Sequence, residues 1–160
     1  MNKIFKDNEM LREVGRYYGP CSANSISRIM NNPLRILVVE DDKAVARVIA
    51  LMLGGPAAKI AMAANGWEAL IKIGATARPF DVVITDHRMP RMNGLQLVER
   101  LRTKNFGGKI LVLSAHLTEE DIRAYEELNV DMMMTKPFDF DELQRAMAVL
   151  NKKASVLAGV

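Results

Sequence analysis

The chain has one cysteine and two histidines among its 160 residues, and only 6% of them are aromatic. Cys21 has no second cysteine to pair with, so an intrachain disulfide is excluded, and no other ligands stand beside it at metal-site spacing. That fits a reducing, cytoplasmic setting. No apolar run approaches the roughly 18 residues needed to cross a bilayer, so membrane insertion is not expected. The N-terminus, MNKIFKDNEMLREVGRYYG, carries positive charge but lacks the apolar stretch of about 7–15 residues that a secretory signal requires. Charge of one sign is not concentrated either. The net charge is +3, which hints at anionic partners. The basic residues are scattered, however, and no Lys/Arg block is interleaved with aromatics. Direct nucleic-acid binding is therefore not expected.

What is present is ordinary globular composition, 49% hydrophobic and 26% charged, enough for one domain with a core that needs no staples. Residues 1–33 are polar and mixed, with little periodicity. They form an N-terminal extension whose character is open: a mis-assigned start, an ordered or partly helical cap, or a flexible tail. From Leu34 the pattern becomes strict. The apolar runs Ile36–Val39, Ile60–Ala63, Val82–Ile84, Ile110–Leu113 and Val130–Met134 alternate with segments of helical period. Runs that are apolar throughout read as strands of a parallel sheet buried on both faces.

Four of the intervening segments carry clear stripes: Val45/Val48/Ile49/Met52, Trp67/Leu70/Ile71/Gly74, Gly94/Leu97/Val98/Leu101 and Phe140/Leu143/Met147/Leu150. The fourth helix in order is weaker, resting on Ile122, Tyr125 and Leu128. Trp67 is expected to pack its helix against the core. Thr118 with Asp121, and Asp139 with Glu142, have capping-pair spacing. Gly54-Gly55-Pro56 and Gly107-Gly108 end the first and third helices. The expected fold is α/β: a doubly wound, five-stranded parallel sheet with helices on both faces. The repeating unit occupies 34–153, with a short tail at 154–160. The ten residues after Leu150 hold no DNA-binding or catalytic output domain, so action in trans is expected.

In such sheets ligands bind beyond the carboxyl ends of the strands. The polar residues fall there: Glu40-Asp41-Asp42 after the first strand, Asp86 after the third, Ser114 after the fourth and Lys136-Pro137 after the fifth. Two carboxylates about 4 Å apart repel by about 4 kcal/mol at an effective dielectric near 20. Either one is protonated or a cation sits among them. Hard oxygen donors select Mg²⁺, Mn²⁺ or Ca²⁺. Mg²⁺ shares its shell readily with phosphate oxygens, which makes phosphate the natural missing ligand. Asp42 reads better as a helix cap than as part of the acid pair.

LVVEDD, AANGWEAL, DVVITDHRMPRMNG, ILVLSA and TKPF stand in this order and spacing. Together they resemble the receiver domains of two-component response regulators, over about Leu34 to Asn151. The resemblance implies a flavodoxin-like sheet of order 2-1-3-4-5. It makes Asp86 the phosphoacceptor, a carboxylate that forms an acyl phosphate. Glu40 and Asp41 become the acid pair that holds Mg²⁺ (Mn²⁺ as the alternative), Asp41 directly and Glu40 through a water. The backbone carbonyl of Arg88 is the implied further ligand. Ser114 would hydrogen-bond the phosphoryl group, and Lys136 would pair with one of its oxygens from a cis Lys136-Pro137 peptide. A sensor histidine kinase or phosphotransfer protein is the implied donor, and a downstream protein the implied target, through the face of helix four, strand five and helix five. Such a chain is no enzyme beyond catalysing its own phosphorylation and dephosphorylation. Arg88 and His116, two residues past Asp86 and Ser114, occupy positions that tune phosphoryl lifetime in the family.

The chain departs from the pattern in three places. Met133 stands where receivers usually carry Tyr or Phe, which puts the aromatic half of the switch in doubt. Ser114 stands where Thr is commoner. The 33-residue leader is foreign to the family. The rival readings are a receiver-like scaffold that binds protein without phosphorylation and an enzyme on a similar sheet. A dehalogenase-type phosphatase needs Asp-x-Asp, but Asp86 is followed by His87-Arg88. A flavodoxin needs a Ser/Thr/Gly loop after the first strand, where Glu-Asp-Asp-Lys stands. His87 and His116 are expected to border the site rather than to bind metal.

Overall fold

The computed structural model describes residues 32–157. The N-terminal extension lies outside the described residues except for its last two positions, and Cys21 lies outside them as well.

Five strands alternate with five helices: β1 (Leu34–Val39), α1 (Lys43–Leu53), β2 (Ala58–Ala63), α2 (Gly66–Ala75), β3 (Val82–Asp86), α3 (Gly94–Thr103), β4 (Lys109–Ser114), α4 (Glu119–Glu127), β5 (Met132–Thr135) and α5 (Phe140–Leu157). All pairings are parallel and the order is β2-β1-β3-β4-β5. Successive side chains of a strand point to opposite faces, and here both sets are apolar. Leu37, Val39, Val83, Ile110 and Val112 join the core beneath α2, α3 and α4. Ile36, Val38, Ile84, Leu111 and Leu113 join the core beneath α1 and α5. The central strands are buried almost throughout, whereas β2 and β5, at the edges, are half-buried.

The helix starts follow the spacing of their caps. Asp42 accepts from the amides of Ala44 and Val45 at the head of α1. Thr118 and Asp121 form a reciprocal capping box on α4, and Asp139 and Glu142 bond each other's amides at α5. Asn65 and Asn93 cap α2 and α3, the latter in a capping box with Gln96. The α3 stripe is buried as expected, as are Leu143, Met147 and Leu150 of α5.

Three expectations need correction. Trp67 does not pack its helix: it is 57% exposed, and Ile71 is 58% exposed. The face of α2 that packs is turned by about one residue, to Gly66, Ala69, Leu70 and Ile73. The cause lies at Gly66, where a Cβ would come within 2.7 Å of Met92 Cγ and 3.1 Å of Leu97 Cβ. Small residues let α2 approach there, and that rolls Trp67 outward. On α1 the buried set is Ala46, Ile49 and Leu53, with Val48 exposed. The last strand begins at Met132 rather than Val130, because Asp131 is engaged with the backbone N–H of Ile110 and with Lys109.

Candidate functional site

Parallel strands deliver their carboxyl ends to one rim. β1 runs into Glu40 and Asp41, β3 ends on Asp86, β4 on Ser114, and β5 leads through Thr135 to Lys136. The register holds these ends together: Asp86 lies opposite Leu113 and Ser114 opposite Thr135. The N–H of Lys136 donates to the Ser114 carbonyl at 2.7 Å, and Lys136-Pro137 is cis.

The lysine is the centre of the cluster. Its Nζ donates to Glu40 Oε2 at 2.6 Å and to Asp86 Oδ1 at 2.7 Å. Asp86 Oδ2 accepts from the backbone N–H of Arg88 at 3.0 Å. Glu40, Asp41 and Asp86 each offer a carboxylate oxygen within 4.8 Å of the others, and among the described residues this is the one acid cluster of its kind. Glu40 and Asp86 are buried, whereas Asp41 is exposed. Burial pushes the Glu40 carboxyl above its ordinary range, even though Lys136 pulls it the other way. Burial acts to lower Lys136, but its bonds to Asp86 and Glu40 outweigh that and hold it above its ordinary value. Two of the three carboxylates therefore share one ammonium, Asp41 stands beside them, and the cluster has room for more positive charge.

The donor set suits a hard cation: three carboxylates, with no sulfur and no imidazole among them. His87 is not a candidate ligand. Its Nδ1 is 2.9 Å from the Tyr125 hydroxyl and its Nε2 faces Asp121 at 3.6 Å. His116 and Arg88 are exposed at the border. The Ser114 hydroxyl donates to the His116 carbonyl at 2.8 Å, so it has to turn to reach a group on Asp86. Met133 is half-buried against the core beneath α4. The residues expected at the site thus converge on one rim. The contact of His87 with Tyr125 was not expected: Tyr125 was legible only as a core position, and its partner lies 38 residues away.

A sequence model of the response regulator receiver domain matches residues 36–148. Response regulator MprA of Mycobacterium sp. (strain KMS) is 37% identical over 123 residues, 77% of this chain and 53% of the relative. Transcriptional regulatory protein ZraR of Klebsiella oxytoca is 32% identical over 114 residues, 71% of this chain and 25% of the relative. The chain thus spans about half or less of these relatives. Among solved structures, the receiver domain of Francisella response regulator 1452 is 32% identical with a TM-score of 0.67, over 77% of this chain and 99% of that one. Chemotaxis protein CheY4 of Vibrio cholerae is 25% identical with a TM-score of 0.68, over 74% and 98%. Among the described residues no helix is long and apolar enough to cross a membrane. The match extends from the first strand of the sheet into its last helix, and the chain belongs to the response regulator receiver family.

Proposed function

We propose that this receiver is a phosphorylation-controlled switch in which Asp86 accepts a phosphoryl group from a phosphohistidine on a sensor histidine kinase or phosphotransfer protein. The observation that carries the proposal is the convergence of buried Glu40 and Asp86 on the single ammonium of Lys136. A nucleophilic carboxylate held beside a cation at the rim of such a sheet is suited to in-line phosphoryl transfer, which depends on positioning and charge neutralisation. A carboxylate oxygen of Asp86 forms the new P–O bond while the donor's P–N bond breaks. The electron pair of that bond leaves with the donor imidazole, which takes up a proton.

Glu40, Asp41, Asp86 and the backbone carbonyl of Arg88 would hold Mg²⁺ or Mn²⁺, which when bound supplies positive charge to the phosphoryl oxygens. Lys136 stays protonated and pairs with a phosphoryl oxygen. Ser114 turns from His116 to donate to another. Arg88 and His116, at the border, govern how long the acyl phosphate lasts. The phosphoryl group adds about −1.5 to −2 charge at the rim, and the change is read by a protein partner on the face of α4, β5 and α5. A groove of about 550 Å³ between β5 and α5, lined by Met132, Met134, Pro137, Phe138 and Val149 with Arg145, offers apolar contact there.

Acetyl phosphate with Mg²⁺ is expected to leave a base-labile phosphoryl adduct on the wild-type chain and none on Asp86→Ala. Equal labelling of the two, or no labelling of the wild type, would sink the proposal and favour a scaffold that works without phosphorylation.

A further inference from the structure

Tyr125 of α4 is fully buried, and nothing in the phosphoryl chemistry uses it. Its hydroxyl meets Nδ1 of His87, the residue directly after Asp86, at 2.9 Å. The two rings stand edge to face, with centroids 5.7 Å apart. Burial drives the Tyr125 hydroxyl far above its ordinary pKa, so it stays protonated and shares one hydrogen bond with Nδ1. On the other side of the ring, Nε2 faces Asp121 Oδ1 at 3.6 Å. The other oxygen of Asp121 is engaged by Thr118, whose amide bond holds the carboxyl below its ordinary range and therefore charged. Asp121 and Tyr125 are four apart on α4 and share one face. They close on His87 from two successive turns.

Gly94 makes the approach possible. A Cβ there would collide with the Asp86 carbonyl oxygen and would stand 3.0 Å from the Tyr125 hydroxyl. The N–H of Gly94 donates to the His87 carbonyl at 2.9 Å, which fixes the peptide that carries the imidazole. α4 is thus tied to the neighbourhood of Asp86 by two routes. One is the covalent loop from Ser114 through His116 to the cap Thr118. The other is the imidazole of His87.

We infer that His87, gripped by Tyr125 and Asp121, is a positioning clamp that holds α4 in the arrangement where Ser114 faces His116, and so opposes the shift that phosphorylation of Asp86 drives. The inference rests on the proposed phosphoryl chemistry. When Ser114 turns toward a phosphoryl group it leaves His116, and the loop it drags ends at the α4 cap. On this inference a displaced α4 gives up the His87 contacts, so they count against the other arrangement. By linkage, weakening them raises the apparent affinity for a phosphoryl group at Asp86.

The test is the affinity of the full chain for beryllofluoride, a phosphoryl mimic, with Mg²⁺, measured by calorimetry. Tyr125→Phe keeps the ring and removes the hydroxyl. It should tighten binding about fivefold, which corresponds to about 1 kcal/mol, while global stability in urea falls. His87→Phe should tighten binding at least as much, and the double variant should add nothing to His87→Phe. A part that is structural only would lower stability and leave the affinity unchanged. That result, or weaker binding in Tyr125→Phe, overturns the clamp while the phosphoryl chemistry stands. A wild-type chain that binds no beryllofluoride and takes no label from acetyl phosphate overturns both.

Discussion

The two ends of the sheet treat carboxylates in opposite ways. At the amino ends of the strands, Asp81 accepts from the backbone N–H of Arg35 at 2.7 Å and faces the guanidinium of Arg78. Asp131 accepts from the N–H of Ile110 and from Lys109, both at 2.9 Å, with Arg102 at 3.8 Å. Each acid there is matched or outnumbered by donors. At the carboxyl rim the balance of charge is inverted: Glu40, Asp41 and Asp86 cluster, and Lys136 bonds two of them, Glu40 and Asp86. The amino end is saturated and serves the fold. The rim is short of positive charge, which suits it to hold a cation.

If the comparison is right, substitutions at the two ends separate stability from chemistry. The largest effect belongs to Asp131→Ala, which leaves Lys109 and the Ile110 N–H without their shared acceptor and should destabilise the fold by roughly 3 kcal/mol in urea unfolding. Uptake of phosphoryl label by the folded variant should be unchanged, and a loss of label would erase the division between the ends. Next comes the cation. Mg²⁺ at 100 times its Kd should raise stability by about 2.7 kcal/mol, as a rise in Tm. Asp131→Ala should keep that rise and Asp41→Asn should lose most of it. A rise that survives in Asp41→Asn would move the ion elsewhere.

The smallest effect is one of pH. Glu40 is held above its ordinary value by burial, so its unfolded form releases a proton first as pH rises. Stability is then present below the unfolded pKa of about 4.5 and is lost as pH climbs through the higher folded value. Measured between pH 4 and 7 without divalent ions, that decline should flatten in Glu40→Gln. An identical slope in both proteins would mean that Lys136 neutralises Glu40 completely.

Much of this was legible in the sequence because it depends on local patterns. Strand ends, caps and the α3 stripe follow from period and from cap chemistry, and each rim residue sits one or two places past an apolar run. The rest depends on contacts between distant segments. Gly66 turns α2 by meeting Met92, and nothing near Trp67 in sequence announces that. Lys136 bridges Glu40 and Asp86 across 96 and 50 residues. The His87–Tyr125 bond needs the roll of α4 as well as the absence of a side chain at Gly94.

Glu40, Asp41 and Asp42 are neighbours of like charge with three different environments: one buried against Lys136, one exposed at the rim, one capping α1. The tripeptide therefore works like a reading frame. Side-chain chemistry is nearly the same at each position, so meaning comes from phase: the last residue of β1 and the first of α1 set which acid points where. Exchanging Glu for Asp within the frame changes reach by one methylene, whereas deleting a single residue would hand every acid its neighbour's task and disturb the acid cluster, the lysine pair and the helix start together.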